Sequence, residues 1–251
     1  MINTYLTIAV SVVMGLSIFV SMPVVFRNTH SLRKMLFYNA IAAGILVFLL
    51  LDIYGNVAAV FGNASITDPY EILFIVAFFL TFLFFIFPKS GRDPLQSPKR
   101  TSALAALGIG FQNLTEGLVF GSAGAAGIVP IYVLAAIGFT LQDITEGFPI
   151  AAPLIGLRKK VEKKFVASVF LLGGIPAVIG TLIGLNFYST AFIVLFDALA
   201  SAAILYVVLV LFHINIDRGN KKEKQSSTHL TYLGILIGFV AAYIVNYLIV
   251  A

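Results

Sequence analysis

Five of the eleven acidic residues in this 251-residue chain stand inside long apolar runs: Asp52, Glu116, Asp143, Glu146 and Asp197. Three of them belong to two related hexads. Gln112-Asn113-Leu114-Thr115-Glu116-Gly117 is followed 30 residues later by Gln142-Asp143-Ile144-Thr145-Glu146-Gly147. The shared pattern is Gln, then Asn or Asp, an apolar residue, Thr, Glu and Gly. On a helix, residues four apart lie about 40° apart round the axis and one turn apart along it. Gln112 therefore falls beside Glu116 with Asn113 flanking them, and Gln142, Asp143 and Glu146 repeat the arrangement. Six side chains able to offer oxygen could meet at one depth. An ionised side chain near a bilayer centre costs about 2.5–3.5 kcal/mol on insertion scales. No Lys or Arg lies in these runs, so the carboxyl groups must be protonated or neutralised by a cation from solution. Carboxylate and amide oxygens are ligands for divalent cations, and one or two ions is the expected load. Hydrogen-bond glue between helices accounts for Gln, Asn and Thr, but poorly for three acids without a basic partner.

The elements that must position these residues are membrane spans. Sixty per cent of the chain is hydrophobic, 11% is charged, and the mean hydropathy is +1.02; soluble domains carry about 25% charged residues. Apolar runs near the roughly 20 residues that cross a bilayer occupy 4–26, 36–62, 71–88, 101–125, 129–156, 165–187, 190–213 and 229–251. The expected fold is a single all-α domain, 1–251, of eight transmembrane helices. The first run has no basic leader and reads as a span rather than a signal peptide.

Every Lys and Arg falls in loops one, three, five and seven, and none in loops two, four and six or at the termini. That alternation works only with eight spans. By the positive-inside rule it puts the basic loops in the cytoplasm and both termini outside, in the cytoplasmic membrane. The net charge of +5 is then a topology signal, and a nucleic-acid partner is not expected. Loop three, Lys89-Ser90-Gly91-Arg92-Asp93-Pro94, is expected to be mobile. Cysteine chemistry is excluded, because the chain has no Cys. With no Ser near a His within the spans and no paired His-x-x-x-His, an intramembrane enzyme is disfavoured. Asp52 and Asp197 stand apart, either lining an access route or capped by neighbouring hydroxyls. Gly117 and Gly147 either break their helices at the site or pack them closely.

The two hexads resemble the metal-binding fourth and fifth spans of the ZIP (Zrt/Irt-like) family of metal-ion transporters. Those spans typically read His-Asn-x-Pro-Glu-Gly and His/Gln-Asn/Asp-x-Pro-Glu-Gly. Ala42-Ala43-Gly44 and Ala203-Ile204-Leu205-Tyr206-Val207-Val208 echo the family's second and seventh spans. The resemblance implies inverted three-helix repeats around spans four and five, a three-two-three arrangement, and usually a homodimer. It implies a binuclear centre bridged by Glu116 and Glu146, with Gln112 and Gln142 on one ion and Asn113 and Asp143 on the other. The implied activity is import of zinc or a related divalent metal (Cd, Mn or Fe) by elevator-like alternating access, with no prosthetic group. Gln112 replaces the family's fourth-span His, Thr115 and Thr145 replace its two Pro, and Ile175 stands where span six often has Glu. Oxygen ligands favour harder ions than imidazole does. A proton- or monovalent-cation-coupled carrier, or a metal sensor that does not transport, would use the same site.

Overall fold

In a computed structural model, the described residues are 2–26, 31–62, 68–87, 97–155, 157, 161–217 and 224–250. They form eight helices and no strand. These are α1 (Thr4–Ser17), α2 (Leu32–Phe61), α3 (Pro69–Ile86), α4 (Pro98–Ala126), α5 (Val129–Ala151), α6 (Lys163–Gly184), α7 (Thr190–Asp217) and α8 (Lys224–Val250). Seven of them, α1 counted with its continuation to Phe26, are long and apolar enough to cross a membrane. The chain is an all-helical, multi-pass membrane protein. The remaining helix, α5, has 23 residues, about 35 Å at 1.5 Å per residue. Its polar hexad is what dilutes its apolar character.

Local chemistry sets the helix ends. Asn3 caps α1 by accepting from the N–H groups of Tyr5 and Leu6, and Asp68 caps α3 through Tyr70 and Glu71. Gly127 ends α4 in the left-handed conformation, at φ 73°. Past Ser17, α1 tightens into a 3-10 segment, Ile18–Phe26, around Pro23.

Helix α4 is the axis of the bundle, packed on α6, α7 and α5. Its seam with α6 is unusually close. A Cβ at Gly117 would collide with the Ala177 carbonyl oxygen, and one at Gly180 would collide with that of Leu114. Gly117 and Gly147 both lie within unbroken helix, and a Cβ at Gly147 would meet the Ile18 carbonyl. Both glycines therefore serve packing, and neither breaks its helix. Helix α3 is the least covered, with 11% of its span buried. Its Phe74, Phe78 and Phe82 stack along one stripe.

The helix ends sort into two sets. Asn215 near the end of α7 donates to the Leu36 carbonyl at the start of α2, 3.1 Å away. Ser102 at the start of α4 donates to Ile150 near the end of α5, 2.7 Å away. Lys99 Nζ stands 5.2 Å from the Phe165 ring at the start of α6, and Phe85 of α3 clusters with Leu36, Tyr206 and Val210. The starts of α2, α4 and α6 thus share one end of the bundle with the ends of α3, α5 and α7. At the other end, the Ile2 N–H donates to Gly124 near the end of α4. Much of the basic loop sequence, including the segment of loop three expected to be mobile, lies outside the described residues.

Candidate metal centre

The two hexads meet. Glu116 Oε1 accepts from Gln112 Nε2 one turn earlier on α4, at 2.8 Å, and from Gln142 Nε2 on α5, at 2.9 Å. Asn113 Nδ2 donates to Asp143 Oδ1 at 2.7 Å and to the Gly173 carbonyl of α6 at 3.0 Å. All six side chains named from the sequence fall at this α4–α5 contact. Gln142 is partly covered and the other five are buried. Each hexad supplies its polar residues on the inward face because their spacing of one, three and four keeps them within one arc of the helix.

Four oxygens in this cluster are buried and accept no hydrogen bond: Gln112 Oε1, Asn113 Oδ1, and both carboxylate oxygens of Glu146. Gln112 and Gln142 each turn one amide hydrogen to Glu116, and Asn113 turns its two to Asp143 and the Gly173 carbonyl. A buried acceptor without a donor costs about 1–3 kcal/mol, and more when charged. The carboxyl groups of Glu116, Asp143 and Glu146 also lie within Coulombic reach of one another. Among the described residues, no three His, Cys, Asp or Glu side chains converge as a ligand group by themselves. The oxygens without a hydrogen-bond partner are mixed, carboxylate and amide, which are donor types a hard or borderline divalent cation takes.

Helix α6 gives the centre a backbone carbonyl and no side chain. Ile175 is 44% exposed on the outside of the bundle, so an acid at that position would face away from the cluster. Gly173 is the α6 residue that meets it. Pro149 lacks an N–H, which removes the intrahelical donor for the Thr145 carbonyl one turn before it on α5.

Asp197 and Asp52 each have a partner. Asp197 Oδ1 lies 2.8 Å from Thr115 Oγ1, and the same hydroxyl lies 2.7 Å from the Gln112 carbonyl. So Asp197 is capped by a hydroxyl, as one of the two sequence alternatives held, and α7 is tied to the α4 hexad. Asp52 is held instead by an amide: Asn246 Nδ2 of α8 donates to its Oδ1 at 2.7 Å. Asn246 escaped the sequence reading. Its only signal there is a lone amide in the run Tyr243-Ile244-Val245-Asn246-Tyr247-Leu248.

No family model and no curated protein sequence matches the chain, so a functional reading rests on these residues and their geometry.

Proposed function

We propose that this protein carries a divalent metal cation across a membrane, binding it at the α4–α5 contact. The observation that carries the reading is the set of four buried, donorless oxygens on Gln112, Asn113 and Glu146. A cation bound at this contact would give Glu146 a partner and offset the repulsion among three carboxyl groups. Glu116 and Asp143 would complete its ligands by exchanging amide hydrogen bonds for metal contacts. The hexads' resemblance to the ZIP family points the same way, and the metal is cargo rather than a resident cofactor.

The arrangement in which three helices flank the pair on either side is part of this reading. A twofold axis exchanging α1, α2 and α3 for α6, α7 and α8, and α4 for α5, turns α2–α8 packing into α7–α3 packing. It likewise turns α4–α6 into α5–α1, and α4–α7 into α5–α2. All six of these contacts are present. Eight crossings, basic ends toward the cytoplasm, inward transport across the cytoplasmic membrane and a homodimer complete the reading. They rest on the charge alternation and on the family resemblance.

The Thr115 hydroxyl favours a second reading, in which protons are carried or exchanged. It has one hydrogen and two acceptors, the Gln112 carbonyl and Asp197. Both contacts are filled at once when Asp197 holds a proton and donates it to Thr115.

The test is uptake of Zn, Mn, Cd and Fe(II) into proteoliposomes, wild type beside Glu116→Ala and Glu146→Ala. Uptake by wild type, lost in both variants and with no imposed proton gradient needed, is the expected result. Wild-type uptake that persists in both variants contradicts the site. Proton flux without metal flux, abolished by Asp197→Asn, would replace the metal reading with the second.

A further inference from the structure

A second group of oxygens lies at the seam between α4 and α7. The two helices run antiparallel there. A Cβ added at Gly108 would stand 3.0 Å from the Ile204 side chain, and two turns further along α4, Thr115 Oγ1 lies 2.8 Å from Asp197 Oδ1. That register brings Gln112 level with Ser201. Gln112 falls about 40° round α4 from Gly108, and Ser201 about 40° round α7 from Asp197, so both stand on one flank of the seam. Phe111 and Phe196, with ring centroids 5.9 Å apart, mark the opposite flank. Asp197, Ser201, Thr115 and Gln112 are all buried. Neither α7 nor α4 past its first turn carries a Lys or Arg, so the Asp197 carboxyl has no basic partner on either helix.

A polar clasp between helices accounts for Thr115 and Asp197, but not for Ser201. A helical serine commonly returns its hydrogen to a carbonyl about one turn back, and Ser11, Ser17, Ser122 and Ser168 do so here. The Ser201 hydroxyl is buried and has no partner, and the Gln112 Oε1 on the same flank has none either. A clasp also needs no carboxyl group, because an Asn at 197 would accept the Thr115 hydrogen without bringing a charge into the bundle. Oxygen ligands take hard cations, and a single carboxylate among neutral oxygens balances a single positive charge.

We propose that Asp197, Ser201, Thr115 and Gln112 form a second site, beside the α4–α5 centre, that binds one monovalent cation, Na+. Asp197 supplies the charge, Thr115 and Ser201 their hydroxyl oxygens, and Gln112 its amide oxygen. When the ion arrives, the Thr115 hydrogen turns wholly to the Gln112 carbonyl, 2.7 Å away, which frees Thr115 Oγ1 and Asp197 for the ion. The site stands without the metal-transport reading but bears on it. Gln112 has one amide oxygen and belongs to both sites. Na+ that takes it withdraws it from the divalent ion, so each ion weakens the binding of the other, by the same factor in both directions.

The experiment is equilibrium binding of radiolabelled Na+ to purified full-length protein, at alkaline pH and with choline chloride holding the ionic strength. Wild type is set beside Asp197→Asn, Ser201→Ala and, as a control, Ser168→Ala on the exposed face of α6. Saturable binding by wild type and Ser168→Ala, weakened roughly tenfold in Ser201→Ala and lost in Asp197→Asn, is the expected result. If Asp197→Asn does not fold, Ser201→Ala, which removes one hydroxyl with no partner, carries the test. Titration with Mn at low and high Na+ reads the shared ligand: Na+ should raise the Kd for Mn in wild type and leave it alone in Asp197→Asn. No saturable Na+ binding by wild type, or binding unchanged in Asp197→Asn and Ser201→Ala, overturns the site. Na+ binding lost in Glu146→Gln but kept in Asp197→Asn also overturns it, because the ion then sits in the divalent centre. A Kd for Mn that ignores Na+ in wild type takes Gln112 out of the site. Na+ bound as expected by a protein that takes no divalent ion would remove the metal reading and leave this site standing.

Discussion

The centre turns on where its amide hydrogens point. Three amide groups, on Gln112, Gln142 and Asn113, direct four of their six N–H donors to Glu116, Asp143 and the Gly173 carbonyl. None of those four bonds goes to Glu146, whose two oxygens are buried. A protein evolved only to hold two helices together would be more stable with Gln in its place, since Gln carries no charge into the apolar interior. Glu146→Gln should therefore raise the melting temperature of the metal-free protein, by the equivalent of about 1–3 kcal/mol. It should also abolish the stabilisation that added metal gives wild type, because ligand binding to the folded state raises its stability by mass action. Thermal unfolding in detergent, with and without Mn or Zn, reads both effects. A metal-free Glu146→Gln protein less stable than wild type would mean that the carboxylate has a partner within the fold. The hexads were legible because polar residues in apolar helices announce themselves. Their partners were not: Thr115 and Asp197 are 82 residues apart, and Asp52 and Asn246 are 194 apart. Only packing of distant helices creates those pairs.

At the scale of the element, the helices and their order follow from apolar runs punctuated by charge, Gly and Pro, and each expected run has its helix. The 3-10 continuation of α1, Ile18–Phe26, is a local change that a run of apolar residues conceals. The use of the glycines was open in the sequence because helix breaking and close packing demand the same residue. The structure settles it by what stands opposite. Gly117 faces the Ala177 backbone, whereas Gly55 on α2 faces open space. Gly117→Ala should cost about 1–3 kcal/mol, the usual range for overpacking. Gly55→Ala should be neutral or stabilise by about 0.5–1 kcal/mol, because Ala is the better helix former. Denaturation of the two variants side by side distinguishes packing from a hinge. A destabilised Gly55→Ala would point to a helix that must bend there. Because α6 sits so close, the Gly173 carbonyl can reach Asn113 where a side chain could not fit.

Across the whole molecule, the basic residues and the helix ends tell one story. The starts of α2, α4 and α6, which carry Arg33, Lys34, Lys99, Arg100, Lys163 and Lys164, gather at one end of the bundle with the ends of α3, α5 and α7. The opposite end holds the N-terminal residues and the end of α4. Since the chain has no Cys, single cysteines at Ser97 and Asn3 should react with an impermeant thiol reagent from opposite faces of the membrane, with Ser97→Cys reached from the cytoplasm. Labelling of both from one face would break the eight-crossing reading.

The central claim is that the donorless oxygens at the α4–α5 contact hold a divalent cation. Calorimetric titration of the purified protein with Mn, Zn, Cd and Mg tests it most directly, wild type against Glu146→Gln. Saturable binding of at least one ion by wild type, weakened tenfold or more in Glu146→Gln at about 1.4 kcal/mol per decade, is the result this account requires. No saturable binding of any of the four, or equal affinity in the two proteins, would contradict it.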